Sequence, residues 1–582
     1  MGQVRQVTAA PDALMASPAV RMAGTRTIAW DRLVLTAIAA LAVAMVCYPV
    51  VFVVLRSISK EGIGSSLTPE WLLAVFDSAR SHEALVNTVV YTAGSSALAM
   101  VLGVGLSFLA TRTDMPGSRL VGVLALLPML VPPFILVVGW VALADPSAGY
   151  VNIVASALAG SRTVLVNVNT MPGIIWVTGL FLTPYVYLLV AAGFGNSDAA
   201  VEEAARVSGA GRLRLLYSVI LPLQRPALLA ALLLVVIMSA GDFIIPSTIG
   251  LKARIYLLSS LIWQNSSSFP PQPGLAAAQS LLLVVVGLLC ILLQRRALSR
   301  GARFTILGGK GSGVTTFPLG KLRYPLAVLA LVFALCSSVF PLLAVGSMAF
   351  MKYWAPAALR PANLTLGNFK YVLFDYPQVW PSVQHSLLLA LLGASACVGL
   401  AIALAWYVIR MRGRFAALVE YAMVLPLGVP GIALGVGILS LWILVPGGIY
   451  GTLWIMLLAF VTAHIPVAMQ FVGSALHRIH TDLEDASRMS GQAWLDTIRR
   501  IDLPLMRPAL IGSWLLMYVV ILREISLVIL LYNPGTVVLS VGLMDVWSSG
   551  FYPQLAVYSL LLMVLGLVPV ALLWKFARLT PA

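Results

Sequence analysis

The sequence predicts an all-α membrane protein built from two homologous halves, and three observations support this prediction. Of the 582 residues, 60% are hydrophobic and only 10% are charged, and the mean hydropathy is +0.97. Soluble proteins carry roughly 25% charged residues. Long apolar runs recur along the whole chain, and several motifs repeat at a fixed spacing, which indicates an internal duplication.

Twelve apolar runs are long enough to cross a bilayer, whose hydrocarbon core of about 30 Å needs about 20 residues of helix. In the first half they are 33–55, 85–109, 121–144, 172–192, 227–249 and 275–293. In the second half they are 325–349, 384–409, 417–444, 450–472, 509–531 and 555–575. Each half is therefore predicted to contain six transmembrane helices.

Two stretches outside these runs divide the chain into domains. Residues 1–30 are Ala-rich and polar and are predicted to form a disordered cytosolic tail, and residues 294–323 form a basic, Gly-rich linker. The two predicted transmembrane domains are then 31–293 and 324–582.

The linker contains GGKGSGVTT, which superficially resembles a phosphate-binding loop. That motif needs Ser or Thr directly after the Lys and a strand before it. Here Gly311 follows Lys310, and an apolar helix is predicted upstream. We therefore expect no nucleotide site and no cofactor in this chain, so any ATP hydrolysis must come from a separate partner.

The net charge of +16 is unevenly distributed. With the N-terminus in the cytosol, 27 of the 37 Lys and Arg residues fall in cytosolic segments and nine in external ones. Because positive residues concentrate on the cytosolic side of membrane proteins, both termini are predicted to be cytosolic. The charge is thus explained by the lipid bilayer and not by nucleic acid.

Six spans separate the repeats, so both halves are predicted to insert the same way up, with a pseudo-twofold axis along the membrane normal.

Two polar segments, Glu202–Pro226 and Glu484–Pro508, repeat at an offset of 282 residues between long apolar runs. Both are charged and carry a glycine in the middle. A polar helix–glycine–helix unit that occurs twice in a hydrophobic chain indicates a surface that docks onto a partner in water.

These segments closely resemble the EAA loops of permease subunits of ABC importers. The first copy comprises Glu203, Ala204, Ala205, Gly209 and Pro222. The second comprises Asp485, Ala486, Ser487, Gly491 and Pro504, and departs from the pattern at its first and third residues. The resemblance implies a fused permease without enzymatic activity that meets two cytosolic ATPase subunits and a periplasmic solute-binding protein. The alternative is a solvated amphipathic loop.

Two acidic residues, Asp242 and Glu524, occupy equivalent positions 282 apart within predicted spans. Each lies about 15 residues into its helix, or roughly 22 Å along it, in the outer part of the membrane. Intramembrane carboxylates usually face a cavity or a partner. They are candidates for the substrate path; alternatively, Arg523 or helix ends satisfy them structurally.

No metal site or catalytic set is predicted. His477 and His480 lie three apart beside Asp482, where a metal site is conceivable, but a solvated helix face is the favoured interpretation. We expect His464 to be packed and hydrogen-bonded.

The repeat offset is 298 at Pro128 and 282 from residue 184 onward, so the first half is predicted to have an external insertion around 145–170 whose role the sequence leaves open.

Further stretches, such as GDFIIPSTIG and REISLVILLYNPGTVVLSVGLMDVWSSG, resemble ferric-iron permeases. Ferric iron prefers oxygen ligands, which the two acids could supply, although they would suit a polyamine equally. Permeases for thiamine, polyamines, phosphonates and sulfate share the same framework. A secondary transporter driven by an ion gradient remains an alternative of another class.

Overall fold

The computed structural model describes residues 18–195, 199–301, 316–355, 361–411, 413–492 and 494–579. Within these ranges the backbone forms α-helices, short 3-10 and π-helical turns and three isolated bridges, with no extended strand. The predicted all-α class is confirmed.

The first half contains thirteen α-helices within the described residues. They are α1 Pro18–Ser57, α2 Glu70–Asp77, α3 Ala79–Arg112, α4 Ser118–Leu130, α5 Pro133–Ala144, α6 Tyr150–Ala159, α7 Met171–Gly195, α8 Ala199–Val207, α9 Arg212–Leu215, α10 Leu221–Leu223, α11 Arg225–Ala240, α12 Leu258–Ser267 and α13 Pro273–Gly301.

The second half contains twelve in its described part. They are α14 Arg323–Ala334, α15 Phe340–Ala349, α16 Gly367–Lys370, α17 Val379–Trp406, α18 Arg414–Ala422, α19 Gly431–Trp442, α20 Leu453–Leu476, α21 Thr481–Met489, α22 Trp494–Thr497, α23 Leu503–Leu522, α24 Leu539–Ser548 and α25 Tyr552–Leu579.

Among the described residues, nine helices are long and apolar enough to cross a membrane, and three further pairs of helices meet this test together but are bent. Counting each bent pair as one span gives up to twelve. This confirms a polytopic membrane protein with about twelve predicted spans.

Two of the predicted spans, 121–144 and 417–444, are not single helices. Helices α4 and α5 meet at 107°, and the segment Arg414–Gly428 meets α19 at 111°. The breaks fall before Pro132 and Pro430. Proline lacks a backbone donor and drives the preceding residue into an extended conformation, so a straight helix cannot continue there. The resulting bends place backbone turns inside the bundle.

Two other spans end earlier than predicted. In the span 227–249 the α-helix ends at Ala240, and a π-helical turn, Pro246–Gly250, follows after a break. In the span 509–531 the α-helix ends at Leu522. Asp242 and Glu524 therefore lie just beyond the ends of α11 and α23 and not within their helical bodies. Both acids sit where the backbone changes direction.

The first long helix of each half packs against the opposite half. Helix α1 packs on α19 and α17, and α15 packs on α5. Both crossings bring a proline against a glycine. A Cβ on Gly437 would lie 2.2 Å from the carbonyl oxygen of Pro49, and one on Gly139 would lie 2.4 Å from that of Pro341. Glycine permits this close backbone approach. The two reciprocal helix crossings therefore hold the halves together.

The ends of the predicted tail and linker are partly described. Helix α1 begins at Pro18, inside the predicted tail 1–30, and residues 1–17 lie outside the described residues. Helix α13 extends into the predicted linker 294–323 as far as Gly301. Lys310 and Gly311 also lie outside the described residues.

Candidate functional site

The two polar repeats fold into matching helix–turn–helix loops, which we call the first and second coupling loops (residues 199–223 and 481–505). Each begins with a nine-residue helix, α8 or α21. The turn follows at Gly209 with φ of +80° and at Gly491 with φ of +78°. This left-handed conformation is readily accessible only to glycine, which explains why glycine stands at both positions.

The same irregularity then follows in each loop. A π-helical turn, Leu216–Ile220 in the first loop and Ile498–Asp502 in the second, directly precedes the Leu-Pro pair that contains Pro222 or Pro504. The two loops therefore match in backbone conformation as well as in sequence.

Each coupling helix turns one face to the protein and one to solvent. In the first loop Glu202 is buried and Ala205 packs against a buried cluster, whereas Glu203 and Ala204 are exposed. The exposed pair is thus the surface that a partner could contact.

The second loop repeats this division. Glu484 and Ser487 are buried, and Asp485 and Ala486 are exposed. The Ser487 hydroxyl lies 2.9 Å from the Thr497 hydroxyl, so the serine that departs from the EAA pattern forms a polar contact inside the loop.

A buried ion pair anchors each coupling helix to the membrane bundle. Arg112, at the end of α3, donates to Glu202, and both side chains are only 1% exposed. The equivalent Arg410 donates through Nε to Glu484 at 2.7 Å and through Nη2 at 2.6 Å. Arg410 also donates to the Ile479 carbonyl at 3.1 Å. A charge-assisted pair in a buried site fixes the loop in one position relative to the bundle.

The bent helices and the ends of α11 and α23 surround a central cavity of about 290 Å³. Residues of both halves line it. The polar lining groups include Asp242, His464, Arg523 and Glu524. The structure therefore brings the two predicted acids into one cavity and adds a guanidinium and an imidazole to them.

The two acids have different hydrogen-bond partners. Tyr91 donates its hydroxyl to Asp242 Oδ2 at 2.5 Å, and Ile244 N–H donates to Oδ1 at 3.1 Å. Glu524 Oε1 accepts from Leu527 N–H at 3.2 Å. Asp242 is thus held by the Tyr91 hydroxyl and by backbone amides, whereas the partners of Glu524 are the residues that directly follow it, Ser526 and Leu527.

Arg523 links the two halves across the cavity wall. Its Nη1 donates to the carbonyl of Met129, in the last turn of α4 before the break, at 2.5 Å. The equivalent position in the first half is Gly241, where a Cβ would lie 2.8 Å from the Cβ of Pro430. This repeated position therefore makes a polar contact with the opposite half in one copy and packs closely against the opposite half in the other.

The histidines lie in two different environments. His464 stacks on Phe460 with its ring centroid 6.4 Å away, and its Nε2 is buried with no hydrogen-bond partner, contrary to the expected hydrogen-bonded histidine. His480 Nδ1 lies 4.0 Å from Asp482, and both side chains are 87% exposed. No group of three metal-ligating side chains occurs among the described residues.

The insertion around 145–170 forms α6 and a return segment. Asn152 holds the two together, donating to the carbonyls of Asp145 at 2.9 Å and Val166 at 2.7 Å. Asp145 also accepts from Lys252 at 3.0 Å. Burial alone would raise the pKa of Asp145, but hydrogen bonds from Ser147 and the ion pair with Lys252 lower it from 3.8 to about 2.

Known proteins resemble this chain over most of its length. Residues 98–304 match the family of binding-protein-dependent transport system inner membrane components. The ferric transport system permease protein FbpB of Actinobacillus pleuropneumoniae is 24% identical over 514 residues, which cover 86% of this chain and 72% of the relative. The Fe(3+)-transport system permease protein FbpB 2 of Haemophilus influenzae is 23% identical over 540 residues, 91% of this chain and 96% of the relative.

A shorter relative covers less of the chain. The putative 2-aminoethylphosphonate transport system permease protein PhnV of Salmonella typhimurium is 27% identical over 267 residues, 44% of this chain and 96% of the relative. It corresponds in length to about one half of the duplicated sequence.

The helical bundle and these matches define an inner-membrane permease of the binding-protein-dependent ABC importer class. Among such permeases the chain resembles those for ferric iron, as the sequence motifs indicated.

Sequence reasoning missed the anchoring residues Arg112 and Arg410 and the buried acids Glu202 and Glu484. The signal was present, because the arginines repeat at 298 and the acids at 282, the two offsets of the duplication. Arg523 was noted only as a possible partner of the acids, and its contact with Met129 had no sequence signal.

Proposed function

We propose that this chain forms the translocation path of an ATP-driven importer and carries ferric iron from a periplasmic binding protein into the cytoplasm by alternating access. The observation that carries the proposal is the pairing of two matched, bundle-anchored coupling loops with one acid-lined cavity between the halves. Residues 31–293 and 324–582 act as the two transmembrane domains, with 294–323 as the cytosolic linker between them.

The coupling loops meet two cytosolic ATPase subunits, one each. The exposed pairs Glu203–Ala204 and Asp485–Ala486 offer small side chains and one negative charge to the partner. The buried ion pairs behind them would pass a displacement of each loop to α3 in the first half and to the π-helical turn Tyr407–Met411, which follows α17, in the second half. Both termini are cytosolic in this proposal, which the asymmetry of Lys and Arg supports.

The cargo assignment is supported by chemistry and similarity together. Ferric iron prefers oxygen ligands, and Asp242 and Glu524 supply carboxylate oxygens at one cavity. Two relatives that match 86% and 91% of this chain are named as ferric-iron permeases. The cation would make transient contact with both acids while passing between the halves.

A phosphonate is the second candidate, and Arg523 favours it. A guanidinium in the cavity matches an anionic group and disfavours a bare cation. A cargo with an ammonium and a phosphonate, such as that named for the PhnV relative, would satisfy both charge types.

A competitive uptake experiment tests which solute this chain transports. Cells with this chain are expected to accumulate labelled ferric iron in excess of cells without it, and excess 2-aminoethylphosphonate is expected to leave that uptake unchanged. Asp242→Asn with Glu524→Gln is expected to lower uptake at least about tenfold while insertion persists. If phosphonate uptake depends on the chain and iron uptake does not, the second candidate replaces the first.

Coupling is tested separately from cargo. Replacing Gly209 and Gly491 with Leu forces left-handed φ on a residue that disfavours it and adds bulk to the partner surface, although a Cβ there meets no protein atom within 4 Å. We expect the protein to insert and uptake to be abolished. Normal uptake by this double variant would refute the coupling role.

The energy source distinguishes an ABC importer from a secondary transporter. Membrane vesicles with ATP and a collapsed proton gradient are expected to retain uptake. Loss of uptake under these conditions would favour an ion-gradient-driven mechanism.

A further inference from the structure

The C-terminal end of the linker, residues 316–319, returns to the first coupling loop. Phe317 N–H donates to the Arg112 carbonyl at 2.7 Å, and its carbonyl accepts from Asp114 N–H at 3.3 Å. Leu319 N–H then donates to Asp114 Oδ1 at 2.7 Å. These bonds pair the linker end with the residues directly after α3, so it is attached to the first half before it enters α14.

The side chain of Phe317 is also buried there. It is 7% exposed and belongs to a core cluster that includes Phe194 and Leu215, against which Ala205 of the coupling helix packs. Its ring lies 5.6 Å from that of Phe108. Phe317 therefore contacts the membrane helices and the base of the coupling loop at the same time.

Two cationic side chains complete the arrangement. The guanidinium of Arg206, on α8, lies 5.6 Å from the centroid of the Phe317 ring, within range of a cation–π interaction. The backbone carbonyl of Arg112 accepts the hydrogen bond from Phe317 N–H, and the side chain of Arg112 forms the ion pair with Glu202. The coupling helix, α3 and the linker end thus converge on Arg112.

The second coupling loop is held differently. Met411 is the position equivalent to Thr113, and no isolated bridge joins it to another segment within the part of the chain that the structure describes. Inside that loop Ser487 contacts the hydroxyl of Thr497 and the side-chain oxygen of Gln492. The first loop is stabilised by an apolar contact from the linker and the second by polar contacts of its own.

We propose that residues 316–319 act as a clamp on the first coupling loop, with Phe317 as its positioning residue. The linker is then part of the coupling machinery and not only a covalent tether between the halves. This inference rests on the proposed coupling function. Removing the Phe317 ring opens the contact between the coupling helix and the cluster and leaves the second loop unchanged.

Hydrogen exchange of the purified full complex measures the clamp without reference to cargo. In Phe317→Ala, amide exchange across residues 199–211 is expected to rise at least about fivefold, whereas exchange across 481–492 stays at the wild-type rate. Phe317→Leu, which restores an apolar side chain, is expected to recover most of the protection. Phe269→Ala is the matched control, because Phe269 is 98% exposed. Unchanged exchange in residues 199–211 of Phe317→Ala would overturn the proposal, as would an equal rise in both loops.

Cleavage of the linker distinguishes the proposed clamp from the linker's role as a covalent connection between the halves. A protease site introduced between residues 302 and 315 cuts the chain and leaves Phe317 on the second fragment. The cleaved complex is expected to keep wild-type exchange in the first loop and to transport as before, while Phe317→Ala lowers the solute moved per ATP hydrolysed at least about threefold. Loss of first-loop protection on cleavage would contradict the clamp. If the Gly209 and Gly491 double variant transports normally, the coupling function fails, but the exchange result still decides the clamp.

Discussion

The ion pair between Arg112 and Glu202 gives the sharpest prediction about how the coupling loops are held. Glu202→Ala leaves the guanidinium of Arg112, whose side chain is only 1% exposed, without its carboxylate in a buried site. Removing one partner of a buried ion pair costs about 3–5 kcal/mol. A free-energy change of about 1.4 kcal/mol corresponds to a tenfold change in an equilibrium constant. The population of the docked loop relative to the undocked loop is therefore expected to fall roughly 100- to 5,000-fold.

Hydrogen exchange on the permease without its ATPase detects this loss. Glu202→Ala is expected to expose the amides of residues 199–211, and Glu203→Ala is the matched control, because that neighbouring carboxylate is exposed. Exchange in the Glu203 variant is expected to match the wild type. Uptake is expected to fall in parallel with the loss of protection in Glu202→Ala.

A double variant tests the electrostatic explanation. Replacing both members of a buried ion pair with apolar side chains of similar volume is often neutral. Arg112→Met with Glu202→Leu is therefore expected to recover much of the protection lost in Glu202→Ala. If Glu202→Ala keeps full protection and normal uptake, the ion pair does not hold the loop and this reasoning is wrong.

The remaining predictions concern the contact between the halves and the insertion around residues 145–170. Gly437→Val places a side chain 2.2 Å from a backbone oxygen of the opposite half and is expected to lower the midpoint of thermal unfolding, whereas Gly105→Ala, with no atom within 4 Å, is not. Asp145 has a lowered pKa, so its stabilising contact with Lys252 is fully present above its unfolded pKa of 3.8 and is lost as the pH falls toward about 2. Asp145→Asn is accordingly expected to lower the unfolding midpoint at neutral pH, with the difference from wild type disappearing near pH 2. An equal difference at both pH values would contradict the assignment.

The sequence was sufficient for features that depend on local composition and spacing. Apolar runs identified the helical membrane class, and the 282-residue offset identified the two coupling loops with their glycines. The left-handed φ at Gly209 and Gly491 follows directly from the residue type at that turn.

Other features depend on contacts between distant residues and could not be inferred from one sequence. The breaks at Pro132 and Pro430 do not follow from the sequence, because a proline in a bilayer helix is compatible with either a continuous or a broken helix. The contact of Arg523 with Met129 joins residues 394 apart. Glu202 and Glu484 could be identified as the buried acids of the coupling helices only once it was known which helix face packs on the bundle.

The proposed coupling requires both loops to face the cytosol, and their sidedness can be measured. Single cysteines at Ser208 and Ser490, both exposed, are introduced into a cysteine-free chain and treated with a membrane-impermeant maleimide. Both cysteines are expected to react in inside-out vesicles and neither in right-side-out vesicles, and the bound ATPase is expected to protect both. Reaction of either cysteine from the periplasmic side would contradict the proposed coupling.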